Sequence, residues 1–265
     1  MDLPERQAAA AALRECRAAL AARGSTVIGE ANGGLPDDIV DWRHYPEGEV
    51  YDPKTHAQYF YHRHPAPARR PPGPAEHGHF HLFLRGEGIP PGMAPLLLPE
   101  LAVADPRAAQ RQSAPLKQGG RDEVCHLVAI AVDAAGEPIR LMATNRWVTG
   151  ETWYRADDVI RMLSRFRLAP DGSLALLNRW LGALLALFQP EIAALLRQRD
   201  KAVLERRWRW RTNVFEDPRL EVIAGVEIDL ETRLAAIDAA AAAPPIAAST
   251  RRPPRLPPMA EGWGA

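Results

Sequence analysis

Histidine supplies the chemistry that stands out in this chain. All eight histidines lie between His44 and His126, and five form two tight runs, His62-Arg63-His64 and His77-Gly78-His79-Phe80-His81. Alternate residues of a β-strand share a face. Read as strands, the runs put His62 and His64 on one face together, and likewise His77, His79 and His81. Converging imidazoles suit metal ligation, or acid–base chemistry near neutral pH. With His126 from a third strand, the predicted ligand set is His62, His64, His77, His79, His81 and His126. A carboxylate such as Glu76 or Glu87 would complete a site for Zn²⁺ or non-haem Fe²⁺. Phe60 and Phe83 would keep such a pocket dry. No CxxC or HExxH signature is present. The plain alternative is a polar sheet face whose histidines bond to one another and to loops.

His77 to Phe83 also resembles the motif of the histidine-triad nucleotide hydrolases and transferases, in which histidines alternate with apolar residues. That resemblance implies His79 as the catalytic nucleophile, with His77 and His81 in support. Gly78 departs from the pattern by filling an apolar position. A hairpin and a long helical half follow here, whereas in that family the triad strand lies near the end of the domain.

Two further segments are dense in functional side chains. Asn145 to Tyr154 follows a strand and precedes a helix, a place where polar groups gather in sites. Arg146 there is a candidate catalytic residue for holding a carboxylate or phosphate, with Trp147 and Trp153 as walls. The plain reading, a turn at Thr149-Gly150 with aromatic packing and a salt bridge, is preferred. Arg206 to Arg211 interleaves arginine with tryptophan, which could stack on and neutralise nucleic acid. More often such a segment is a solvated helix end, with tryptophan packed beneath it and arginine near the negative end of the dipole. The net charge is zero, so no global field draws in nucleic acid or an anionic membrane, and the helix-end reading is adopted.

A chain of 265 residues with 46% hydrophobic and 25% charged content fits a globular protein. Pro4 to Arg23 predicts a helix with a thin apolar stripe, and Gly29 to Asp41 a loop. Residues 49–52 and 57–62 predict two strands around a turn, and Pro65 to Pro74 a proline-rich loop. His77 to Arg85 predicts a strand, and Val124–Val132 with Ile139–Asn145 a hairpin. Val124–Val132 is apolar on both faces, as in a central, covered strand. Ala156–Arg167, Leu174–Phe188 and Glu191 to about Arg207 predict helices, the second apolar almost all round. Leu220–Leu230 predicts a last strand, followed by a short helix from Glu231. Asn-Arg-Trp occurs at 145–147 and 178–180, in settings too different for a repeat.

The expected fold is α+β: a mainly antiparallel sheet packed against a C-terminal helical layer, with a peripheral N-terminal helix. The expected division is a helix and loop at 1–41, one domain at 42–238, and a disordered Ala/Pro-rich tail at 239–265. Cys16 and Cys125 make no disulfide framework and suit a reducing cytoplasm. The N-terminus lacks the apolar core of a secretory signal, and no apolar run reaches membrane-spanning length. Ser and Thr are scarce, which argues against a Ser-His-Asp hydrolase.

Several segments read together resemble an uncharacterised bacterial family, domain of unknown function 6969. They are residues 44–52, 58–62, 76–81, 144–151 and 214–217. The resemblance spans roughly Trp42 to Ile237 and implies one domain in a cytoplasmic bacterial protein. It carries no activity with it. The function expected from the residues is metal binding, extending to a metal-dependent enzyme with an unknown small-molecule substrate. The expected partner is neither membrane nor nucleic acid.

Overall fold

The computed structural model describes residues 2–34, 39–65, 75–96, 123–211 and 213–242. Its centre is a six-stranded antiparallel sheet in sequential order. The strands are β1 (Tyr45–Tyr51), β2 (Ala57–His62), β3 (Gly78–Arg85), β4 (Val124–Val132), β5 (Pro138–Thr144) and β6 (Val222–Glu227). The first five strands lie side by side in chain order, each antiparallel to the one before it. The sixth returns after the helices to pair with β5, with Leu141 opposite Val226.

One face of this sheet is the main core. Tyr59, Tyr61, Phe80, Leu82, Leu84, Val128, Ile130 and Leu141 are buried there with apolar residues of the helices. The helices are α1 (Leu3–Ala22), α2 (Val27–Ala31), α3 (Arg146–Thr149), α4 (Ala156–Met162), α5 (Ala175–Leu187), α6 (Gln189–Trp210) and α7 (Leu230–Ala242). The apolar helix α5 is the cover that a doubly apolar sheet requires: Leu177, Trp180, Leu181, Leu184 and Leu187 are all buried. Trp180 meets Phe80 at 5.9 Å between ring centroids. Buried Tyr59 donates its hydroxyl to Asn178 of α5 at 2.8 Å, which satisfies both polar groups inside the layer. α1 lies outside α5 and starts with a capping box between Asp2 and Glu5. It sinks one stripe, Ala9, Ala10, Leu13, Cys16 and Leu20, into the same core.

Some boundaries differ from expectation for local reasons. The predicted loop from Gly29 begins inside α2, a single turn that Thr26 caps at 3.2 Å to the Gly29 amide and that buries Val27 and Ile28. β1 starts at Tyr45 rather than Glu49. Its register jumps between Tyr45 and Val50, which face Tyr61 and Tyr59. Four residues thus oppose Phe60 alone, a bulge that sequence alternation does not reveal. α4 ends at Met162 and tightens into a 3₁₀ turn, Leu163–Arg165. α7 continues to Ala242, past the predicted start of the tail at 239. The rest of that tail, and residues 66–74 of the proline-rich loop, lie outside the described residues. Among the described residues, no single helix is long and apolar enough to cross a membrane.

Candidate metal centre

The second face of the sheet carries the histidines. In the β2–β3 register, His62 lies opposite His79, Phe60 opposite His81, and Gln58 opposite Phe83. Directly opposed residues share a face. That face therefore reads His62, Phe60 and Gln58 along β2, against His79, His81 and Phe83 along β3.

His126 arrives by a different device. The β3–β4 register pairs Leu82 with Val128 but Phe83 with His126, so Leu127 is skipped. Regular alternation from Ala129 and Ala131 would put Leu127 on the histidine face and His126 in the main core. The bulge reverses this. Leu127 joins the main core, and the His126 ring sits 5.0 Å from His81 and 5.1 Å from Phe83.

The result is a buried, bonded set of imidazoles. The ligand-capable nitrogens of His62, His79 and His81 lie within 4.8 Å of one another. His62 Nε2 and His79 Nε2 share a hydrogen bond of 2.7 Å. The Glu76 carboxylate holds His79 Nδ1 at 2.6 Å, which turns Nε2 toward His62. A carboxylate behind a ligating histidine is the usual outer support of a metal site. His81 Nδ1 meets His126 Nε2 at 3.0 Å, and His126 Nδ1 meets the Thr144 hydroxyl at 3.3 Å. The His126 amide donates to Glu151 at 3.0 Å. His64 lies just past the end of β2, half-buried, with its ring 4.8 Å from His62 and 5.1 Å from His79.

Burial dominates the electrostatics. It drives His62 down to about 2 and His126 down to about 3 from the ordinary 6.5, with the neighbouring histidines adding to the effect at His62 and Arg199 adding to it at His126. His81 is lowered well below 6.5, and His64 is lowered, by the same cause first. At neutral pH these rings are uncharged, which is the form that ligates metal. Burial raises the fully enclosed Glu151 to about 7 against the opposing pull of Arg199.

The other predicted residues are placed elsewhere. His77 precedes β3 and does not join the cluster. Its Nδ1 bonds the Tyr61 hydroxyl at 2.6 Å, and its ring runs parallel to Tyr61, a core-face side chain. β3 itself begins at Gly78, so His77 lies one residue outside its alternation. A side chain at 78 would meet the His62 carbonyl at 2.5 Å as well as the Tyr61 ring, which explains glycine at the apolar position of the triad-like motif. Glu87 pairs with His56, 3.4 Å away, rather than with the cluster. Arg146 is held by Glu216 and by the Glu151 carbonyl at 3.1 Å, away from the imidazoles. At Arg206–Arg211, Arg206 binds the buried Asp217 at 2.7 Å. The tryptophans are not packed beneath the helix: Trp208 is 76% exposed, with Arg211 over its ring.

His44 joins the site without having been singled out, stacked on Phe60 at 3.7 Å between centroids and 5.4 Å from His62. Only the β1 bulge brings it there, so its sequence position gave no signal.

A six-stranded antiparallel meander with helices on one face and an imidazole cluster on the other defines an α+β protein with a histidine-lined sheet. The chain belongs to the family described as Domain of unknown function (DUF6969), whose model matches residues 7–228. The match therefore includes most of α1, earlier than the start at Trp42 that the sequence resemblance implied. No curated protein and no solved structure matches the chain.

Proposed function

We propose that this protein binds a transition-metal ion, with His62, His79 and His81 as ligands. The observation that carries the reading is three buried imidazoles with convergent nitrogens, one of them oriented by a carboxylate. His62 and His79 would ligate through Nε2. His81, whose Nδ1 is engaged by His126, would use its remaining nitrogen. Two nitrogens on one tetrahedral zinc sit about 3.3 Å apart, from Zn–N bonds of about 2.05 Å. Ion entry would thus displace the shared proton and open the 2.7 Å His62–His79 contact by about 0.6 Å.

Zinc fits this donor set better than iron. The grouped ligands are all imidazole, and Glu76 stands behind His79 rather than beside it. Three histidines leave a fourth position for water, substrate or His64, the pattern of catalytic rather than structural zinc sites. A metal-dependent enzyme acting on a small molecule, in a reducing bacterial cytoplasm, is the fuller form of the proposal. Nucleic acid is not the proposed partner, since Arg206 is committed to Asp217 and Arg211 to Trp208.

The histidine-triad reading has less support. A nucleophilic His79 needs a free ring nitrogen and access, yet both nitrogens are bonded and the residue is 6% exposed. A polar sheet face with no ion remains the competing account of the same contacts. Titration with Co²⁺ separates them. The expected result is one equivalent with the intense visible bands of tetrahedral cobalt, lost in His79→Ala/His81→Ala. Octahedral-type, weak spectra identical in the variant would contradict the proposal.

A further inference from the structure

The same sheet face has a second end. Gln58 shares it with Phe60 and His62, and Arg85 shares it with Phe83, His81 and His79. Beyond the Phe60–Phe83 pair, whose rings stack at 5.6 Å, lies a cleft of about 640 Å³. Glu49, Tyr51, His56, Gln58, Arg85 and Glu87 line it with Gly48 and Pro53. That volume suits a small metabolite-sized molecule.

The backbone is bent to build this cleft. The β1 bulge places Gly48 at φ 82° and Glu49 at φ 61°, and the β1–β2 turn ends on His56 at φ 63°. Two side-chain-bearing residues in the left-handed region on one cleft is uncommon, and such conformations gather at ligand sites. The bulge turns the Glu49 carboxylate inward, where it binds His44 at 2.8 Å and the Gln58 amide. Gln58 in turn accepts from Arg85 Nε. Among the described residues, the two terminal nitrogens of Arg85 have no protein partner, so the flat end of a guanidinium faces the cleft. Opposite in chemistry stand Tyr51 and His56, bonded to each other at 2.7 Å, with Glu87 beside His56.

We infer that this cleft binds a small hydroxy- or amino-carboxylic acid. Its carboxylate would lie bidentate on Arg85, as guanidinium and carboxylate geometry favours. Its hydroxyl or ammonium group would meet the Tyr51, His56 and Glu87 group. The ionised Glu49, held below the usual carboxylate range chiefly by its bond to His44, keeps the cleft from being a simple anion trap. The acid can bind here whether or not the imidazoles hold a metal.

Calorimetric titration at pH 7 with L-malate, L-glutamate and inorganic phosphate tests this. Malate or glutamate should bind at one site, with phosphate at least about tenfold weaker. Arg85→Gln should weaken the acid at least about tenfold. Arg85→Lys, which keeps the charge but not the fork, should weaken it less, with circular dichroism unchanged. His62→Ala/His81→Ala should retain binding, so loss of the metal site and loss of the acid site are read separately. No binding of either acid, equal binding of phosphate, or unchanged affinity in Arg85→Gln would overturn the assignment.

Discussion

At the scale of residues, this face is governed by burial acting on groups that titrate. For His62 and His126 the folded values of about 2 and 3 lie below 6.5. Their contribution to stability is thus present above pH 6.5 and lost as pH falls toward 3. Glu151 has the opposite sign. Its folded value of about 7 lies above 4.5, so its contribution is full below 4.5 and lost as pH rises through 7. Removing that acid while keeping an acceptor for the His126 amide isolates the effect. Glu151→Gln should gain on the order of 3 kcal/mol relative to the parent between pH 4.5 and pH 8, read by urea denaturation at each pH. A difference between the two proteins that does not vary with pH would show that Glu151 is not buried as charged carboxylate. The imidazoles themselves were legible in the sequence because type and spacing are local properties. Glu76 was legible as a nearby carboxylate. Arg85, Gln58 and Glu49 were not, because their shared cleft arises from a register irregularity and a left-handed turn, which no residue pattern announces.

At the scale of elements, two bulges decide which side chains meet. The β4 bulge delivers His126 and the β1 bulge delivers His44 and Glu49. The strands themselves were readable, since β2 to β5 alternate or run apolar over their whole lengths, and α5 announced its burial by being apolar almost all round. What failed was parity at the strand ends, where His77 turns to Tyr61 instead of toward His79. Gly78 is the hinge of that departure. Gly78→Ala should destabilise by about 1–3 kcal/mol through overpacking against Tyr61 and the His62 carbonyl. Chemical denaturation measures it, and an unchanged midpoint would mean the close approach of β2 and β3 there is not enforced.

At the scale of the whole molecule, a helical layer covers one sheet face and the histidines lie on the other. α1 illustrates the limit of reading helices singly. Its thin apolar stripe predicts an outlying position, and it does lie outermost, yet Leu13 is fully buried between α1 and the core. Leu13→Ala should cost about 2–5 kcal/mol, a loss in thermal or urea unfolding that a loosely attached helix would not produce. The family match running from residue 7 agrees with a helix that belongs to the same folded unit. The proposed function rests on metal binding. Elemental analysis of the full chain, purified without an affinity tag, tests it most directly. Near-stoichiometric zinc, absent from His79→Ala/His81→Ala purified in parallel, is the predicted result. Metal-free parent protein, or equal metal in parent and variant, would contradict it.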